Sequence, residues 1–132
     1  SYRKSLFCVG ITRGFQWIDG SFTENVEDIE GRSPHDIDCI TFYCMPDGEN
    51  EESLYMKNPR LFEHDDVKSQ FNVDSYHIDI ADGTIDDITY WYSMWSHRRD
   101  WAWKGFIQLE IDPRLDEEAR IRLGQLRAEL QP

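Results

Sequence analysis

The run Asp36-Ile37-Asp38-Cys39-Ile40-Thr41-Phe42-Tyr43 constrains the fold more than any other segment. It is continuous in β-favouring residues and is closed by Pro46-Asp47-Gly48, residue types that suit a turn, so it reads as a central strand. Side chains alternate across a strand, which puts Asp36 and Asp38 on one face and Ile37 and Cys39 on the other. Two carboxylates are thereby aimed at one spot. Before it, Phe15 to Asp19 reads as a short aromatic and β-branched strand that ends in Gly20-Ser21. Gly20 lets the backbone approach a ligand without a Cβ in the way, and the Ser21 hydroxyl and nearby amides can donate to phosphate oxygens. This pair of strands suggests a divalent metal held beside a phosphate.

The remaining segments supply the layers around these strands. Tyr2 to Ile11 has near-helical apolar spacing, with Gly14 as its stop. Acid-rich Thr23 to His35 reads as a solvated loop or one ragged helical turn. Glu49 to Asn72 is divided by Pro59, so two short helices parted at Asn58-Pro59 suit it. Val73 to Ile80 alternates Tyr76, Ile78 and Ile80 against Ser75, His77 and Asp79, the pattern of a half-buried strand. Thr84 with Asp87 forms a capping box, and Ile85, Ile88, Tyr92 and Trp95 follow at helical spacing, so a helix should run to about His97. Lys104 to Ile111 alternates again as a strand. Asp112-Pro113 then offers a cap and an N1 proline to a final amphipathic helix with Leu115, Ala119, Leu123, Leu126 and Leu130 on one face. The order predicts a mixed α/β (α+β) fold, a small mixed sheet flanked by helices, as a single domain over residues 1–132.

Charge and composition narrow the function classes. The 132 residues carry 14 Lys and Arg against 26 Asp and Glu, a net charge of −12. Such a field disfavours double-stranded DNA and favours a basic protein partner. An aromatic content of 14% excludes a disordered acidic segment. No run of 18 or more apolar residues and no charged-then-apolar leader is present, so neither a membrane span nor a signal peptide is expected. Cys8, Cys39 and Cys44 are odd in number and lack CxxC spacing, which fits reduced thiols in a cytoplasmic protein. The absence of an initiator methionine suggests a trimmed or partial chain.

The order Gly20-Ser21, a spacer of 14 residues, then Asp36-Ile37-Asp38 resembles the signature of the nucleotidyltransferase superfamily. Gly14 to Phe22, Asp36 to Phe42, and Arg98-Arg99-Asp100 with Lys104-Gly105-Phe106 are similar to an uncharacterised family of short bacterial nucleotidyltransferase-like proteins, over most of residues 1 to 111. The resemblance implies a nucleotidyltransferase-like fold and transfer of a nucleotidyl group from a nucleoside triphosphate, ATP among the candidates, to a hydroxyl of a protein or RNA acceptor such as a tRNA end. It also implies Mg²⁺ or Mn²⁺, a toxin-antitoxin or phage-defence setting, and a third carboxylate from a later strand. Asp74 is the candidate for that carboxylate, with Asp79 in reserve.

The residue chemistry agrees with that reading. Mg²⁺ prefers hard oxygen ligands, which Asp36, Asp38 and Asp74 supply, and Asp74 could also take the proton of the acceptor hydroxyl. Lys104 and Arg98, in the dense basic group with Arg99, are candidates to contact the triphosphate. Each feature also has a plainer reading. Paired aspartates can sit in a turn or cap, and cations after a helix can serve its dipole. His77 reads as a buried, hydrogen-bonded histidine, and His35 as a loop residue. His64 and His97 show no pattern. Tyr90, Trp91, Tyr92, Trp95, Trp101 and Trp103 read as core, with Trp101 or Trp103 stacking on a nucleobase as the alternative. The other functional readings are a non-catalytic binding or regulatory module of the same fold and a metal-dependent phosphohydrolase.

Overall fold

The structure is a computed structural model that describes residues 1–131. Among them seven α-helices and four strands follow the order α1 (Tyr2–Cys8), β1 (Gly14–Asp19), α2 (Val26–Glu30), β2 (Ile37–Tyr43), α3 (Glu51–Lys57), α4 (Pro59–Phe62), α5 (His64–Phe71), β3 (Val73–Asp79), α6 (Ile85–Trp95), β4 (Ile107–Glu110) and α7 (Pro113–Leu130). A 3₁₀ turn over Ser21–Glu24 joins β1 to α2. The fold is the mixed α+β arrangement that the sequence predicts. The sheet order is β3-β2-β1-β4, with β2 parallel to β3 and the other two pairs antiparallel.

β2 is central because both of its faces are covered. Cys39 and Tyr43 join Tyr2, Leu6, Val9 and Ile11 of the α1 segment, Leu54 of α3, Leu61 of α4, Val67 of α5 and Val73 in one core. Ile40 and Phe42 face the opposite way and pack with Trp17 and Trp95 in a second, smaller core. Phe15 stacks on Phe42 with ring centroids 4.7 Å apart, and Trp17 meets the same ring edge-on at 4.8 Å. Burying one such side chain stabilises the fold by about 1.5–3 kcal/mol. On the larger core's side of the sheet the buried Ser75 hydroxyl has no hydrogen-bond partner among the described residues, whereas Gln16 and Thr41 are paired. Gln16, 1% exposed, donates to Thr41 Oγ1 at 2.9 Å and accepts from Arg3 at 2.7 Å.

Several boundaries differ from the sequence expectations. The first helix ends at Cys8, and Gly14 opens β1 instead of stopping the helix. At a φ of +135°, its Cα lies so close to β2 that a Cβ would stand 2.1 Å from the Phe42 carbonyl oxygen. The Glu49 to Asn72 segment forms three helices rather than two. Asn50 starts α3 with a capping box, Pro59 opens α4, and an extended Glu63 parts α4 from α5. On β3 the polar side is the better buried: Val73 and Ser75 are enclosed, whereas Tyr76 is 41% exposed. The capping box of Thr84 and Asp87 forms as expected, but α6 ends at Trp95. Of its expected inward face only Trp95 is buried. The aromatic cluster is therefore not core as a group, since Tyr90, Tyr92, Trp101 and Trp103 are all exposed. All three cysteines are free. No described helix is long and apolar enough to cross a membrane.

Candidate functional site

The strand register brings carboxylates together at one end of the sheet. Asp19 of β1 lies opposite Asp38 of β2, and Asp38 lies opposite Asp74 of β3. Neighbouring strands are about 4.8 Å apart, so in-register side chains on one face are neighbours. By alternation these three share the face of Trp17, Ile40 and Ile78, the side on which α6 packs. Asp36, two residues before Asp38, falls on the same face. Asp36, Asp38 and Asp74 line one cavity of about 630 Å³ together with Gly20, Ser21 and Lys104.

Each carboxylate has a different environment. Asp19, 3% exposed, accepts from Lys104 Nζ at 2.8 Å and from Thr23 Oγ1 at 3.1 Å. Asp74 accepts from Lys68 Nζ at 3.0 Å and meets His64 Nε2 at 3.0 Å. The other ring nitrogen of His64 lies 3.2 Å from the Ser75 carbonyl oxygen, so the ring spans from the Asp74 carboxylate to the β3 backbone. Lys68 also reaches Asp36 at 3.2 Å, and hydrogen bonds to Asp74 and then Asp36 push its ammonium above the usual lysine range. Asp38 differs. Burial, then the charges of Asp74, Asp19 and Asp36, push its carboxyl above the usual range, and only Lys104 opposes them.

At Gly20 the close approach is to the chain's own next strand. At a φ of +122°, a Cβ there would stand 2.9 Å from the Asp36 carbonyl oxygen and 3.5 Å from Asp38 Oδ2, so only glycine lets the turn after β1 close over the paired aspartates. Ser21 begins the 3₁₀ turn on the cavity wall. Asn72, in the left-handed region at the end of α5, donates from Nδ2 to the His35 carbonyl at 2.5 Å and ties the segment before β2 to β3.

Not every candidate keeps the role that the sequence suggests. The Lys104 ammonium is engaged by Asp19, with side chains only 12% and 5% exposed, so this lysine lines the cavity as half of an ion pair. Arg98 lies 3.4 Å from Glu24 and 3.6 Å from Asp100. Asp79 drops out as a reserve carboxylate. It sits at the far end of β3, opposite Tyr43, and accepts from the Ala81 amide. His77 is the hydrogen-bonded histidine expected, with Nε2 2.9 Å from the Tyr2 hydroxyl. Asp19, Lys68 and His64 are the participants that sequence reasoning missed. Asp19 alone left a signal, a charge ending an apolar strand directly before Gly-Ser.

The donor set suits a hard divalent cation: oxygen ligands, an excess of negative charge at Asp38, and an ammonium already seated between Asp36 and Asp74. Among the described residues no three His, Cys, Asp or Glu side chains already converge as a metal cage. Asp36, Asp38 and Asp74 are the residues that could hold such an ion.

Residues 1–110 match the family DUF6932, described as a family of unknown function. The chain belongs to DUF6932. The match spans all four strands and ends just before α7, so the carboxylate row and the Gly20-Ser21 turn both lie within the DUF6932 region. Searches of curated proteins and of solved structures found no match.

Proposed function

We propose that this chain moves a nucleotidyl group from a nucleoside triphosphate to a hydroxyl of a protein or RNA acceptor, with Mg²⁺ or Mn²⁺ as cofactor: the acceptor oxygen bonds the α-phosphorus, the α–β phosphoanhydride bond breaks and pyrophosphate leaves. One observation carries the reading: Asp38, flanked in register by Asp19 and Asp74 and joined by Asp36, borders a cavity whose wall includes the Gly20-Ser21 turn. Asp36, Asp38 and Asp74 would hold the cation, which supplies positive charge to the triphosphate oxygens. Gly20 keeps the turn free of a side chain, so the amides after β1 can approach a phosphate. Asp74 is the group to receive the proton of the acceptor hydroxyl at its carboxylate. Lys104 compensates Asp19 and so leaves Asp38 as the carboxylate most in need of a cation. The net charge of −12 favours a protein acceptor over RNA.

A second reading, a non-catalytic binding module, is favoured by Lys68, whose ammonium already bridges Asp36 and Asp74. Incubation with labelled nucleoside triphosphates, Mg²⁺ and candidate acceptors separates the two, with Asp38→Asn as control. The expected result is labelling by the wild type and a loss of about 100-fold or more in the variant. Because the Asp38 carboxyl is raised, its ionised form is disfavoured in the fold, so Asp38→Asn should also melt at a higher temperature than the metal-free wild type. Equal labelling by both proteins would sink the metal assignment, and no labelling by the wild type under any condition would leave the binding module.

A further inference from the structure

The connection from α6 to β4 leaves two indoles in solvent. Trp101 is 81% exposed and Trp103 78%, although burial of so large an apolar side chain would stabilise the fold. The loop is nevertheless tightly fixed. The Arg98 amide donates to Ala102 at 2.8 Å, the Trp101 amide to Arg98 at 2.9 Å and the Lys104 amide to Ser96 at 2.8 Å, and His97 bridges to Trp103 as an isolated antiparallel pair. The His97 ring lies over Trp103 with centroids 4.0 Å apart. Trp101 has a φ of +66°, a left-handed conformation that is strained for a bulky residue. The fold holds an indole outward at a strained position.

A second cavity, of about 620 Å³, lies beside this loop, lined by Tyr90 and Met94 of α6 and by Trp101. It shares His97, Arg98 and Arg99 with the carboxylate cavity, so the two lie side by side with two guanidinium groups between them. Arg98 Nε is buried and makes no hydrogen bond among the described residues, its nearest carboxylates being Glu24 at 3.4 Å and Asp100 at 3.6 Å. Arg99 forms no ion pair among them, in a chain where acid outnumbers base. One cavity is walled mainly by aromatic and thioether groups, together with Asp86, Thr89 and Ser93, the other by carboxylates and the glycine turn, and cations stand between. A ligand matching all three parts is flat and apolar at one end and polyanionic at the other.

We propose that the His97–Lys104 loop and α6 form a nucleobase clamp, in which the base of a nucleoside triphosphate stacks on Trp101 while Arg98 and Arg99 span the passage to its phosphates. This rests on the nucleoside triphosphate reading of the carboxylate cavity and gives that site its second half. Stacking on an indole tolerates every base, so the clamp recognises nucleotides as a class, purines most tightly for their larger ring.

Calorimetric titration of the full chain with ATP, CTP and inorganic tripolyphosphate tests the clamp, using Trp101→Ala and Trp101→Phe beside the wild type. Trp101 is exposed, so neither change threatens the core. Trp101→Ala should weaken both nucleotides about 5- to 100-fold and leave tripolyphosphate unchanged, and Trp101→Phe should recover most of the loss. Tripolyphosphate binding as tightly as ATP, or Trp101→Ala binding nucleotides like the wild type, would overturn the clamp. The catalytic reading fails separately. Trp101-dependent nucleotide binding without any transfer leaves the clamp intact and removes the transferase, whereas transfer with an unchanged KM in Trp101→Ala does the reverse.

Discussion

Burial holds the His77 imidazole at about 4, well below its ordinary value, while its Nε2 shares a hydrogen bond of 2.9 Å with the Tyr2 hydroxyl. Burial and the nearby Cys39 push that phenol up, so both partners stay neutral. A histidine whose pKa falls on folding binds its proton more readily in the unfolded chain. The stability it confers is complete above about pH 6.5 and is lost as pH falls toward about 4. The wild type should therefore lose at most about 2 kcal/mol more than His77→Gln between about pH 7.5 and about pH 5, measured by urea unfolding at each pH. His77 was legible because strand alternation exposes it. Lys68 was not, since its value lies in reaching Asp36 and Asp74 at once, and no local pattern encodes a meeting of α5 with two strand ends. Asp19 was half legible: its position at a strand end was visible, its register with Asp38 was not.

Strand pairing depends as closely on one glycine. Adding a Cβ at Gly14 would collide with the Phe42 carbonyl oxygen and Tyr43 Cα at the first pair of the β1–β2 ladder, in a backbone conformation that L residues rarely adopt. Gly14→Ala should destabilise the fold by more than about 2 kcal/mol, read as a lower denaturation midpoint with an unchanged slope. Helix starts were the easiest elements to foresee, because Thr84 with Asp87 and Asp112 with Pro113 carry their capping chemistry locally. Helix faces were not. Ile85, Ile88 and Tyr92 have the spacing of a buried stripe, yet of α6 only Trp95 is buried; Trp91 packs on Tyr76 with centroids 4.6 Å apart, and the exposed Tyr92 meets Trp17 edge-on at 6.1 Å. The sheet behind α6 ends in a four-residue strand with every residue exposed, too little surface to cover the stripe. The break after α4 was hidden for a related reason, since the extended Glu63 is fixed by the packing of Leu61 and Val67 in one core.

The molecule as a whole is a compact sheet with one loosely attached helix. α7 buries none of its residues, and its firmest tie is the ion pair of Asp116 with Arg3 at 2.6 Å, itself partly exposed. Truncation after Asp112 should cost only about 1 kcal/mol, with the thermal transition still cooperative. A loss of several kcal/mol would mean that α7 covers more than its own surface suggests. The two connections bordering the carboxylate row have a similar independence. Of the residues from Ser21 to Asp36 only Val26 is buried, and none is between His97 and Lys104, whereas the large core rests on α1, α3, α4 and α5. The segments that would choose a substrate are thus separable from those that hold the fold. Selection, or a designer grafting loops, can change what this scaffold accepts without renegotiating how it folds.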